Sequence, residues 1–163
     1  MTPTTDTDPA PAAAPPAGGP IDALRVVVGV DASDASREAL RWAARYAELI
    51  GAPLEVVHCW HLADEHAWIQ PLPPPADPTG IAQEAIDDMV HEVVRPDQVV
   101  SVKTLVVEGH AAKTLVEMVD ANSILVVGDR GFGGIDGLLI GSVSRQCTAH
   151  APCTVVVVRG SGR

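Results

Sequence analysis

Five short apolar, β-branched runs recur along the chain, separated by stretches with helical spacing: Val26 to Val30, Leu54 to Trp60, Val99 to Val107, Ile124 to Val127 and Thr154 to Val158. Alternation of that kind is the signature of βαβ units and a parallel sheet. Crossovers between parallel strands are right-handed almost without exception, which predicts an α/β, Rossmann-like, open five-stranded parallel sheet with helices on both faces. In such sheets ligands sit beyond the carboxyl ends of the strands where strand order reverses, so the loops after the first and fourth strands are the places to search.

The intervening segments support this reading. Ser33, Asp34 and Ser36 are N-cap candidates for a first helix whose inward face carries Leu40, Ala43, Ala44 and Ala47, with Arg37, Arg41, Arg45 and Glu48 opposite. Gly51 and Pro53 end it. A second helix is predicted from about Ile81 to Val94, with Ala82, Ala85, Ile86, Met89 and Val93 inward and Pro96 at its end. The third strand, Val99 to Val107, sets Val100, Val102, Thr104 and Val106 against Ser101 and Lys103, a two-faced pattern that suits an edge. Ala112, Leu115, Val116 and Val119 form the inward stripe of a third helix, and Ser142 to His150 a fourth. The Pro-rich connection 61–80 is too long for an ordinary αβ link and reads as a lid or a surface loop.

Residues 24–160 thus form one domain, preceded by residues 1–23, a Pro/Ala-rich stretch expected to be disordered and lacking the basic and apolar regions of a secretory signal. No apolar run approaches the roughly 18 to 20 residues of a membrane span. The formal charge of −10 argues against nucleic-acid and anionic-membrane partners, whose binding depends on Lys and Arg facing phosphates. Cys59, Cys147 and Cys153 are too few for a disulfide framework, so a reducing, cytoplasmic setting is expected.

The fourth strand runs into GDRGFGGIDGLLIGS, which holds six glycines in fifteen residues. Glycine inside regular structure costs roughly 0.5–1 kcal/mol relative to alanine, so repeated glycine points to unusual torsion angles or to an object close to the backbone. A glycine-rich turn that feeds a helix N-terminus after a parallel strand is a ready anion site, and phosphate is its natural guest. The spacing of Gly128, Gly131 and Gly141–Ser142 matches neither GxxxxGK[ST] nor GxGxxG.

That spacing, GxxGx(9)G[ST], resembles the ATP-binding universal stress proteins, as do VVVGVDAS, LEVVHCW and SVSRQCTAHAPCTVVVV, and the likeness covers roughly residues 24 to 159. The resemblance implies an ATP-binding stress-response regulator that senses nucleotide and signals through conformation or dimerisation, with Mg²⁺ accompanying ATP. It implies that Asp31 contacts the ribose and adenine region, that Val30 lines the same pocket, and that Cys59 lies against the adenine ring. Gly128 and Gly131 would let the backbone approach the nucleotide. Gly141, Ser142, Val143 and Ser144 would hold phosphates through N–H groups and hydroxyls, and Arg130 would add a charged contact. The resemblance also implies a homodimer that pairs the fifth strand, Thr154 to Val158, with its twofold mate.

Asp129 and Asp136 depart from the pattern. Two unit charges about 4 Å apart repel by about 4 kcal/mol at an effective dielectric near 20, so these carboxylates are expected to point outward, hold Mg²⁺ or weaken binding. If they repel ATP, the chain would be a nucleotide-free dimeric scaffold for a protein partner.

Asp31 and Ser142 also have plainer readings, as caps of the helices that follow them. His58, His61 and His66, with Asp64 and Glu65, lack the ligand spacing of zinc sites, and no metal ligands are assigned. The cysteines read as small buried hydrophobes. Trp60 and Trp68 read as anchors of the long loop. No catalytic base or nucleophile is legible, so any ATP hydrolysis would be slow.

Overall fold

The computed structural model describes residues 24–61, 77–131 and 140–160. The first 23 residues, most of the Pro-rich connection including Trp68, and the loop residue Asp136 lie outside the described residues.

Nine elements alternate along the described chain: β1 (Arg25–Val30), α1 (Asp34–Ile50), β2 (Leu54–Trp60), α2 (Pro78–Val93), β3 (Val102–Glu108), α3 (Ala111–Met118), β4 (Ser123–Gly128), α4 (Ser142–His150) and β5 (Thr154–Val158). The five strands form one parallel sheet in the order β3-β2-β1-β4-β5. The chain first builds outward from β1 through β2 to β3, then returns to β1's other side with β4, so strand order reverses between β1 and β4. Both ends of the order are edges, β3 as its two-faced pattern predicts and β5 on the opposite side.

Alternation along the strands divides the core into two layers. Val26, Val28, Leu54, Val56, Ile124 and Val126 pack beneath α1 and α2, against Leu40, Ala43, Ala44, Ala47, Ile86 and Met89. Val27, Val57, Leu125 and Val127 face the other way, toward Leu115 of α3 and Cys147 of α4. Burying each valine or leucine stabilises by roughly 1.5–3 kcal/mol, and small alanines on α1 let that helix lie close over the central strands. Gly29 does the same for α3: a Cβ there would lie 2.7 Å from Leu115 Cδ1.

Three expectations are corrected. α2 begins at Pro78, earlier than predicted, because Asp77 caps it by accepting the Gly80 N–H at 2.8 Å and proline suits the first helical position. Ala85 is exposed rather than inward; Ile86, Met89 and Val93 carry the contact. β3 begins at Val102 because the preceding valines do not pair: Val99 is 86% exposed and its N–H donates to Glu48 Oε1 at 3.0 Å. In addition, Leu105 and Val107 pack into the α3/α4 layer, so the outward face of β3 is polar only at its start.

Candidate functional site

The site is built where β1 and β4 end side by side. Beyond Val30 the chain turns at Asp31, whose Oδ1 accepts the Ser33 N–H at 3.1 Å and the Ser33 hydroxyl at 2.6 Å. This short loop carries Ala32 at φ 65°, left-handed backbone that alanine rarely adopts. Ser33 is the N-cap of α1 and accepts the Ser36 N–H at 3.2 Å. Asp31 therefore does not cap the helix itself; it holds the residue that does.

On the β4 side, Gly131 comes so close that a Cβ there would run into Asp31 Oδ2. Gly141, the N-cap of α4, donates its N–H to the Asp129 carbonyl at 2.7 Å, and a Cβ on it would lie 3.4 Å from Arg130 Cα and 3.7 Å from the Gly131 nitrogen. Among the described residues no side chain caps α4, so the amides of its first turn can serve water or a ligand beside the glycines. Asp31, Arg130, Gly131, Gly141 and Ser142 thus belong to one neighbourhood drawn from β1, β4 and α4. A carboxylate suited to accept from hydroxyls stands next to a helix start suited to hold an anion.

Other predicted residues are placed differently. A Cβ on Gly128 would meet Ala35 at 2.9 Å from its carbonyl carbon, so this glycine makes room for the first turn of α1. Gly160, just past β5, is close to Ala35 as well: a Cβ on it would lie 3.2 Å from Ala35 Cα. Ser144 is buried and its hydroxyl donates to the Gly128 carbonyl at 2.5 Å, a bond that fastens α4 to β4 and leaves only the backbone N–H for an anion. Val143 packs partly into the α3/α4 layer, while Ser142 is exposed. Val30 is buried in the α1/α2 layer and reaches the rim only through its backbone, where its carbonyl pairs with His58 Nδ1 at 2.9 Å. Cys59 sits on β2, separated from β4 by β1, and packs toward the α3/α4 layer. Burial pushes its thiol up, partly offset by a hydrogen bond with Thr114.

Asp129 does not point outward. It is 8% exposed, and its Oδ1 accepts the Gly160 N–H at 3.2 Å. Among the described residues no group of three or more His, Cys, Asp or Glu converges as a metal site. His61 and His110 do meet, with ring centroids 4.8 Å apart at the ends of β2 and β3. Cys147 fits the small-hydrophobe reading best: it is fully buried, and desolvation with the neighbouring thiols drives it up to about 11. Sequence reasoning missed Ala35 and Gly160 as the packing partners that set the loop's position. The VVVVRG ending was the available signal, a glycine directly after a strand.

Comparison with known proteins agrees with this architecture. The Universal stress protein family model matches residues 23–159. The universal stress protein Rv2623 of Mycobacterium tuberculosis strain H37Rv is 37% identical over 147 residues, covering 83% of this chain and 47% of that protein. The chain thus spans about half the length of that relative. Among solved structures, the universal stress protein UspA from Lactobacillus plantarum superposes with TM-score 0.67 at 23% identity, covering 83% of this chain and 97% of that one. A universal stress protein in complex with cAMP superposes with TM-score 0.60 at 25% identity, covering 85% and 98% respectively. By its sequence and its fold, this chain belongs to the universal stress protein family.

Proposed function

We propose that this chain binds ATP with Mg²⁺ at the carboxyl ends of β1 and β4 and acts as a nucleotide-responsive regulator. The observation that carries this reading is the closure of Gly131 onto Asp31 beside the start of α4, which no described side chain caps. That arrangement offers one acceptor for sugar hydroxyls and one bank of N–H donors for phosphate within a single rim. The related structure with bound cAMP supports an adenine nucleotide as the ligand class.

In this reading Asp31, held rigid by Ser33, accepts from the ribose hydroxyls. Gly131 and Gly141 keep the floor free of side chains, and the Ser142, Val143 and Ser144 amides with the Ser142 hydroxyl hold the phosphates. Arg130, half-buried next to Gly131, supplies positive charge in a chain that is otherwise acidic. Mg²⁺ would arrive with the triphosphate, which supplies the ligands the described residues do not gather, and would neutralise its charge. No general base is assigned among the described residues, so hydrolysis is read as at most slow, and the output is conformation or assembly. The open edge β5 is the surface for a homodimer, since an exposed valine-rich edge favours pairing. The free thiols Cys59, Cys147 and Cys153 fit a reducing, cytoplasmic setting.

The test is to denature the purified protein, identify any released nucleotide by mass, and titrate ATP with Mg²⁺ by calorimetry. Co-purified adenine nucleotide or saturable heat is expected. The absence of both would end the reading and leave a nucleotide-free scaffold in its place.

A further inference from the structure

Asp129 lies one step beyond the last β4–β5 register pair, Gly128 with Val158, and its N–H donates to the Val158 carbonyl at 2.7 Å. In a parallel ladder the same residue's carbonyl would next accept the N–H two places further along the partner strand, that of Gly160. Here that carbonyl is taken by the Gly141 N–H at 2.7 Å, at the start of α4. The carboxylate substitutes for it: Oδ1 accepts the Gly160 N–H at 3.2 Å. Asp129 thereby divides its two acceptors between the helix start and the exit of the edge strand. A Cβ added at Gly160 would lie 3.2 Å from Ala35 Cα, so a larger residue would be crowded there.

We propose that Asp129 is a positioning residue that links the start of α4 to the segment leaving β5, so that ligand binding at the rim and order at Val158–Gly160 depend on one another. This rests on the nucleotide reading above. Its chemistry is acceptance by an oxygen from a backbone N–H, and the negative charge is incidental. A ligand that accepts from the amides after Gly141 orders the same helix start whose Gly141 N–H donates to the Asp129 carbonyl, and that order passes through Asp129 to the edge of the sheet.

Amide hydrogen exchange of Gly160 in the full chain, with and without ATP and Mg²⁺, tests the link. ATP is expected to slow Gly160 exchange in the unmodified protein. D129A is expected to speed ligand-free exchange by about tenfold, as loss of one hydrogen bond implies, and to abolish the ATP effect. D129N keeps an acceptor oxygen and is expected to stay within about twofold of the unmodified protein in exchange and in ATP affinity. Unchanged Gly160 exchange in D129A would overturn the link, and so would an ATP affinity raised about tenfold in D129N, a factor worth 1.4 kcal/mol, which would mark the carboxylate as a charge opposing phosphate. Should D129A fail to fold, the unmodified protein decides: Gly160 exchange that ATP at saturation leaves unaltered overturns the coupling. Absence of both co-purified nucleotide and ATP heat in the unmodified protein would defeat the nucleotide reading, while the ligand-free variants would still decide whether Asp129 ties Gly160.

Discussion

Gly131 closes on Asp31 so tightly that no side chain fits between them, which joins the loop after β4 to the turn after β1. Gly131→Val is expected to lower ATP affinity by at least about tenfold, because the larger side chain must displace either the loop or the Asp31 carboxylate. Calorimetry measures it. Unchanged affinity would remove this corner from the site.

Gly128 makes a different prediction, because the obstacle to a Cβ there is backbone. Gly128→Ala would press on Ala35 carbonyl atoms at 2.9 and 3.0 Å and is expected to destabilise the fold by about 1–3 kcal/mol in urea titration. Gly141→Ala, whose added Cβ would meet nothing nearer than 3.4 Å and whose φ is −69°, should cost well under half as much.

Ala32 is held at φ 65°, where an L side chain costs roughly 1–2 kcal/mol that glycine avoids. Ala32→Gly also frees the unfolded chain, at roughly 0.4–1 kcal/mol. The balance favours the variant by about 0.5–1 kcal/mol, read as a rise in thermal midpoint.

Cys147 has an ordinary thiol value of 9.0 when unfolded and about 11 in the fold. At pH 8 its thiolate fraction falls by about 100-fold and the side chain is fully buried, so native alkylation should be slower than after denaturation by at least that factor. Because the fold disfavours the thiolate, the stability tied to the neutral thiol is intact below about pH 9 and is lost as pH rises through about 11. Urea midpoints between pH 8 and pH 11 should decline, and Cys147→Ala should flatten that decline.

Much of the fold was legible because valine runs and alanine-bearing helices obey short-range rules. β2, β5 and α4 fall on their predicted bounds, and the two-faced β3 lies at an edge. Val99 misled because a β-branched residue signals strand whether or not a neighbour is in register to pair with it. The start of α2 was encoded in Asp77 and Pro78, a cap followed by a first-turn proline, within a stretch whose Pro content suggested only loop. At the rim, the glycine spacing located the neighbourhood, yet it could not separate glycines by what they approach. Gly131 faces a carboxylate, whereas Gly128 faces a helix backbone, and that difference depends on Ala35, far away in sequence. The burial of Asp129 was hidden for the same reason: its acceptor role exists only once Gly160 has been brought beside it.

Ala35 leaves little or no room for a Cβ at two strand ends, Gly128 and Gly160, which seats the start of α1 at the carboxyl rim. Distances along that helix are therefore counted from one end only. At the other end Gly51 stands at φ 66°, and a Cβ there would meet nothing within 4 Å. An insertion that lengthens α1 by a turn, about 5.4 Å, is expected to meet less obstruction there. The same turn added near Asp34 would have to lift the helix off its seat. Lengthening of this element is thus expected to be accommodated on the amino side of the sheet, which leaves the rim its dimensions.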